Sequence, residues 1–143
     1  MRRLAVLLLF ASALDAATYA VTVAGLGGEP DYAMRFAAWA RDLGKLVSGE
    51  VLAGPDATRE RLRAVLKKVG EGATPEDDFV LTLIGHGTWD GVDYRFNLAG
   101  PDITAAELAG LLNSIRAGRQ LVVVTTSSSG GALETLKAPG RIV

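Results

Sequence analysis

Three stretches of the chain are continuously apolar and rich in β-branched residues: Thr18–Ala24 (TYAVTVA), 79–84 (FVLTLI) and 121–125 (LVVVT). Runs without polar alternation fit strands buried on both faces, as in a parallel sheet. Between them the apolar positions recur at helical spacing. Over 31–46, Met34, Phe36, Ala37, Ala40, Leu43 and Leu46 repeat in this way, with Arg35, Arg41 and Asp42 on other faces and Asp31 as the expected N-cap. Over 58–69, Leu62, Val65, Leu66 and Val69 share one face, and Asp56 or Thr58 is placed to cap it. A third helix over 104–115 opens on Thr104 with Glu107 in the capping-box position. Glu50–Leu52 reads as a short strand closed by Gly54-Pro55. Strands alternating with helices predict an α/β fold, a mostly parallel sheet flanked by helices on both faces, with the three apolar runs as neighbours.

The N-terminus follows another pattern. Met1-Arg2-Arg3 precedes an apolar run over 4–14 that Asp15 ends. A basic start, a short apolar centre and small residues behind it form a secretory signal peptide, expected over 1–17. Ala11-Ser12-Ala13 fits a small-x-small cleavage site, and cleavage near Ala16 or Ala17 fits as well. The run is shorter than the about 20 residues that span a bilayer, so no integral membrane segment is expected in the mature chain. A secreted or periplasmic location follows; an N-terminal core element of a cytoplasmic protein is the alternative. At the other end, Arg141-Ile142-Val143 reads as the opening of a further strand. The domain over 18–143 is therefore expected to be incomplete at its C-terminus.

Composition narrows the chemistry. The 143 residues are one domain's worth, and 49% are hydrophobic, which favours a packed core over disorder. Fifteen basic residues against 16 acidic ones leave a formal charge of −1, so nothing electrostatic draws this chain to nucleic acid. The absence of cysteine excludes disulfides, thiolate metal sites and a cysteine nucleophile. A single histidine, His86, excludes a multi-histidine metal cage, and no Asp/Asn run has calcium-loop spacing. No metal and no cofactor are expected.

In a parallel α/β sheet, functional groups gather just beyond the carboxyl ends of the strands. Here those ends read Gly25-Leu26-Gly27-Gly28, Gly85-His86-Gly87-Thr88 and Thr126-Ser127-Ser128-Ser129-Gly130-Gly131. Glycines let a carbonyl approach backbone N–H groups, and a histidine beside serines can supply a base and a nucleophile. Each segment has a plainer reading: a turn, a structural histidine, and a polar loop with Gly130-Gly131 opening a helix. The full G-x-G-x-x-G fingerprint is absent from the first. Ser127 to Gly131 echoes a nucleophile elbow centred on Ser129, but an α/β-hydrolase places its histidine after the serine, and His86 comes before it.

A histidine-glycine after one strand, and a nucleophile turn ending in Ser-Gly after the next, resembles the caspase and legumain clan of cysteine peptidases. Val23-Ala24-Gly25, Gly28 and Tyr32 look like the opening strand and turn of the legumain family, and 77–87 looks like the clan's histidine strand. The resemblance runs from about Tyr19 to Val143. It implies a caspase-hemoglobinase-like three-layer sandwich and peptide-bond hydrolysis, with a peptide or protein as partner. It makes His86 the catalytic histidine and gives Gly87 N–H to an oxyanion hole. Ser127 stands where the family has its cysteine, followed by Ser129 and Gly130 of the same motif, which with Gly27 would line the substrate site. Gly27 lies where legumains carry a histidine-orienting asparagine, and Ala33 where they carry an arginine of the specificity pocket. A serine hydroxyl, unlike a thiol, needs a well-placed base and an orienting group. Three functions stay open: a peptidase-clan hydrolase, an inactive relative that binds a peptide or protein, and a small serine hydrolase using Ser127 or Ser129 with His86.

Overall fold

The computed structural model describes residues 15–143. The expected leader therefore falls largely outside the described residues. In chain order the elements are β1 (Thr18–Ala24), α1 (Pro30–Val47), β2 (Glu50–Leu52), α2 (Arg59–Gly72), β3 (Asp78–Gly85), β4 (Gly87–Trp89), β5 (Tyr94–Phe96), β6 (Ile103–Thr104), α3 (Ala105–Asn113), β7 (Arg119–Thr126), α4 (Gly130–Leu136) and β8 (Arg141–Ile142). The main sheet has the order β2-β1-β3-β7-β8, with every pairing parallel. The three apolar runs are its central strands, as predicted. Among the described residues no helix is long and apolar enough to cross a membrane.

Helix ends follow their local chemistry. Thr58 caps α2, accepting from the Arg61 amide, and Thr104 with Glu107 forms the capping box of α3. The first helix differs from expectation: Glu29 is its N-cap and Pro30 its first residue, because proline's fixed φ suits that position, so Asp31 lies inside the first turn.

Strand alternation sends side chains to two unequal cores. Val21, Val23, Phe79, Leu81, Leu83 and Val122 join the large core packed by α2, α3 and α4. Ala24 and Ile84 point the other way, to Phe36 and Ala40 of α1. Handedness accounts for the asymmetry. Right-handed crossovers place helices on one face when the chain steps one way across the sheet, and on the other when it steps back. Only β1 to β2 steps one way, so among the described residues α1 alone serves its face. Leu121, on that face, is 40% exposed.

At the foot of the sheet, buried Asp77 ties the chain entry to the approach to β3. Its carboxylate accepts from the Ala17 amide at 2.7 Å, the Thr74 amide at 2.8 Å and the Thr74 hydroxyl at 3.0 Å. The Thr74 amide, then the Ala17 amide, hold its pKa below the ordinary 3.8 against the opposing effect of burial. A depressed carboxylate pKa stabilises the fold fully above the unfolded value, and that contribution is lost as pH falls through the folded value. Asp77→Asn should therefore flatten the acid limb of stability against pH. Urea unfolding followed at successive pH values checks this, and an unchanged acid limb would refute it.

The segment after His86 holds a second, antiparallel sheet, β4-β5-β6, that the apolar periodicity did not predict. Asp90 shapes its hairpin turn by accepting from the amides of Val92 and Asp93, while Arg95 donates to it at 2.6 Å. The Asp90-Gly91 dipeptide between Trp89 and Tyr94 was the available hairpin signal.

Candidate active site

The candidate residues lie where the central strands end. Register sets Ala24 beside Ile84, and Ile84 beside Thr125, so the segments that follow open on one rim of the sheet. Backbone bonds tie them: the Gly25 amide donates to Ile84 O, the Asn97 amide to His86 O, and the Leu26 amide to Asn97 O. Asn97, absent from the sequence expectations, thus cross-links the glycine loop and the histidine through its main chain.

His86 is half-buried. Its Nε2 lies 3.2 Å from the Gly27 carbonyl oxygen, which can only accept, so Nε2 carries a proton and Nδ1 is the nitrogen able to serve as an acceptor. Tyr32 and Phe36 of α1 pack edge-on to the imidazole, with ring centroids 5.5 and 5.3 Å away. A backbone carbonyl and two aromatic edges therefore orient the ring. Gly27 performs this as the residue it is. A Cβ there would sit 2.3 Å from the Ala33 nitrogen and 2.6 Å from its Cα, so no side chain fits. Gly27, expected to line the substrate site, is largely buried with its carbonyl on the histidine, and it also borders a small hollow at the strand ends.

Ser127 is exposed, yet its hydroxyl is occupied. Oγ accepts from the Gly87 amide at 3.1 Å and donates to the Gly87 carbonyl at 2.9 Å. The N–H expected to receive an oxyanion is thus taken up by the expected nucleophile. Among the described residues no hydrogen bond joins Ser127 to His86. The two stand at neighbouring strand ends, each bonded to backbone. Ser128 then adopts φ 57°, an uncommon conformation for a non-glycine residue, and the chain turns into α4. Ser129 and Gly130 border a different hollow, of about 200 Å³, shared with Val124, Leu133 and Val143. Val124 packs against the large core on the α2–α4 side.

Beneath Gly87 lies a group that sequence reasoning missed. Tyr94 is 1% exposed, and its hydroxyl meets Thr126 Oγ1 at 2.6 Å. Burial pushes its phenol pKa up, opposed by the bond to Thr126. On the far side of Gly27 is a hollow of about 140 Å³ bordered by Gly25, Leu26, Ala33 and Ala99, with no charged residue on its walls. Ala33 occupies the position where the resemblance has an arginine.

No protein-family model matches this sequence. No curated protein matches it either. Among solved structures, the chain is similar to the crystal structure of protein GSU0716 from Geobacter sulfurreducens, a Northeast Structural Genomics target, with a TM-score of 0.59 and 19% identity. The match covers 90% of this chain and 58% of that one, so this chain spans well under two thirds of its neighbour's length. At that identity the likeness is one of fold: a parallel α/β sheet flanked by helices.

Proposed function

We propose that this domain is a peptide- or protein-binding relative of the caspase and legumain clan in which the hydrolytic centre is disarmed. The carrying observation is that Ser127 Oγ closes on both the N–H and the C=O of Gly87 while His86 Nε2 is bonded to Gly27. A serine nucleophile needs a base to take its proton and a free N–H to receive the oxyanion. Here the proton goes to a carbonyl and the N–H is filled. Attack would first require Ser127 to leave Gly87 and reach Nδ1, with no carboxylate or amide side chain among the described residues bonded to the imidazole. The neutral hollow beside Gly27 favours an uncharged, small side chain in a bound peptide. The leader pattern over 1–17 would present such a domain outside the cytoplasm.

Two probes test the reading on the same protein. A fluorophosphonate should leave wild type unlabelled. Ser127→Cys, which supplies a nucleophile that ionises near neutral pH, should gain labelling by a peptidyl electrophile. Adding His86→Ala should reduce that labelling about a hundredfold or more, on the scale of positioned acid–base catalysis. Wild-type labelling at Ser127 that His86→Ala removes would instead establish a serine hydrolase. A Ser127→Cys variant that no electrophile distinguishes from a free thiol would end the clan reading of this site.

A further inference from the structure

We infer that Tyr94 is the positioning residue of this site, acting through Thr126 on the turn that carries Ser127. The inference rests on the proposed reading that Gly87 and residue 127 form the site's centre. Thr126 Oγ1 donates to the Ser127 carbonyl at 3.0 Å, so its own proton is committed. The 2.6 Å contact with Tyr94 must then run from the phenol, giving a one-way chain from Tyr94 O–H to Thr126 O–H to Ser127 C=O. The same phenol closes the other half of the site. A Cβ on Gly87 would lie 2.6 Å from Tyr94 Oη and 2.7 Å from the Ser127 carbonyl oxygen, so tyrosine, glycine and turn meet without a spare atom. Thr126 is the last residue of β7 and Tyr94 the first of β5, so the chain links the end of the main sheet to the hairpin that follows His86. With the turn so pinned, the residue-127 side chain falls on the Gly87 amide. Among the described residues Tyr94 makes no hydrogen bond to the Ser127 hydroxyl; it acts by setting the distance over which that side chain meets Gly87 N–H.

The chain contains no cysteine, so Ser127→Cys installs a single thiol whose titration reports that distance. Rates of alkylation by iodoacetamide, measured against pH on the full chain, give its apparent pKa. With Tyr94 present, the Gly87 amide should stabilise the thiolate and place the midpoint below the about 8.5 of a free thiol. Tyr94→Phe keeps the ring and removes only the hydroxyl; it should return the midpoint toward the free value and slow alkylation at pH 7 about threefold or more. Thr126→Val should reproduce that shift, and Thr126→Ser, which retains the hydroxyl, should restore the parent profile. A depressed midpoint that neither Tyr94→Phe nor Thr126→Val moves overturns the role of Tyr94 and leaves the site reading standing. A shift with Tyr94→Phe alone refutes the relay through Thr126. A free-thiol profile with Tyr94 intact overturns the site reading, and the inference falls with it.

Discussion

Phe96→Ala should remove about 3–5 kcal/mol of stability, the cost of emptying a large aromatic site in a core. Phe96 is 0% exposed, and its ring edge lies against the backbone where two central strands end. A Cβ built on Gly25 would meet Phe96 Cζ at 2.7 Å, and one on Gly85 would meet Cε2 at 3.3 Å. Both of these backbone neighbours are glycines and have no side chain of their own to refill that space. A loss of this size is a large share of the about 5–15 kcal/mol that holds a domain of ordinary stability. It should also fall locally. The amides of Gly25 and Asn97, which bond to Ile84 and His86, should lose hydrogen-exchange protection before those of β7 do. Urea unfolding and amide exchange measure the two effects. A loss below about 1 kcal/mol would mean the site collapses around the missing ring, and the strand ends are not held by it.

Gly27→Asn should fail as a repair. Sequence comparison with the legumain pattern suggests that an asparagine here would orient His86 and improve the site. The structure predicts the opposite. Any Cβ at this position meets the Ala33 backbone at 2.3 Å, and Ala33 lies in the second turn's approach of α1, so backbone rather than a flexible side chain must give way. Overpacking of this kind costs about 1–3 kcal/mol. The shift would also carry the Gly27 carbonyl away from His86 Nε2, removing the bond that fixes its tautomer. Gly27→Asn and Gly27→Ala should therefore be similarly destabilised in urea, and in the Ser127→Cys background both should lose reactivity toward the peptidyl probe. An asparagine variant as stable as wild type and more reactive would show that the loop adapts and that the asparagine is the better orienter.

The candidate site was legible in outline because its parts are local. His86 and Ser127 follow apolar runs, and the ends of such runs are rim positions in any parallel sheet. Their bonding was not legible. Whether the Ser127 hydroxyl meets His86 or Gly87 depends on angstrom-scale placement of two segments far apart in sequence. The orienter of His86 was hidden for a further reason. A backbone carbonyl has no residue type, so nothing in the letters could distinguish Gly27 as a partner from Gly27 as a gap. Tyr94 and Asn97 were missed because the hairpin strands β4 to β6 are only two or three residues long, too short for any periodicity to register.

The sequence by itself determined the order of the main-sheet strands and of the helices between them, the cap at Thr104, a cap for α2 at Asp56 or Thr58, and the three strand ends that bear the candidate residues. These follow from apolar periodicity and from hydrogen bonds spanning three residues, both written within a short window. Tertiary structure alone decided three things: that α1 would lie on one face of the sheet and α2, α3 and α4 on the other, that Phe96 would fill the space under two glycines, and that Ser127 would close on Gly87 while Gly27 took the histidine. Each depends on crossover handedness or on close approach of backbone from distant segments, and neither leaves a local pattern of side chains to read.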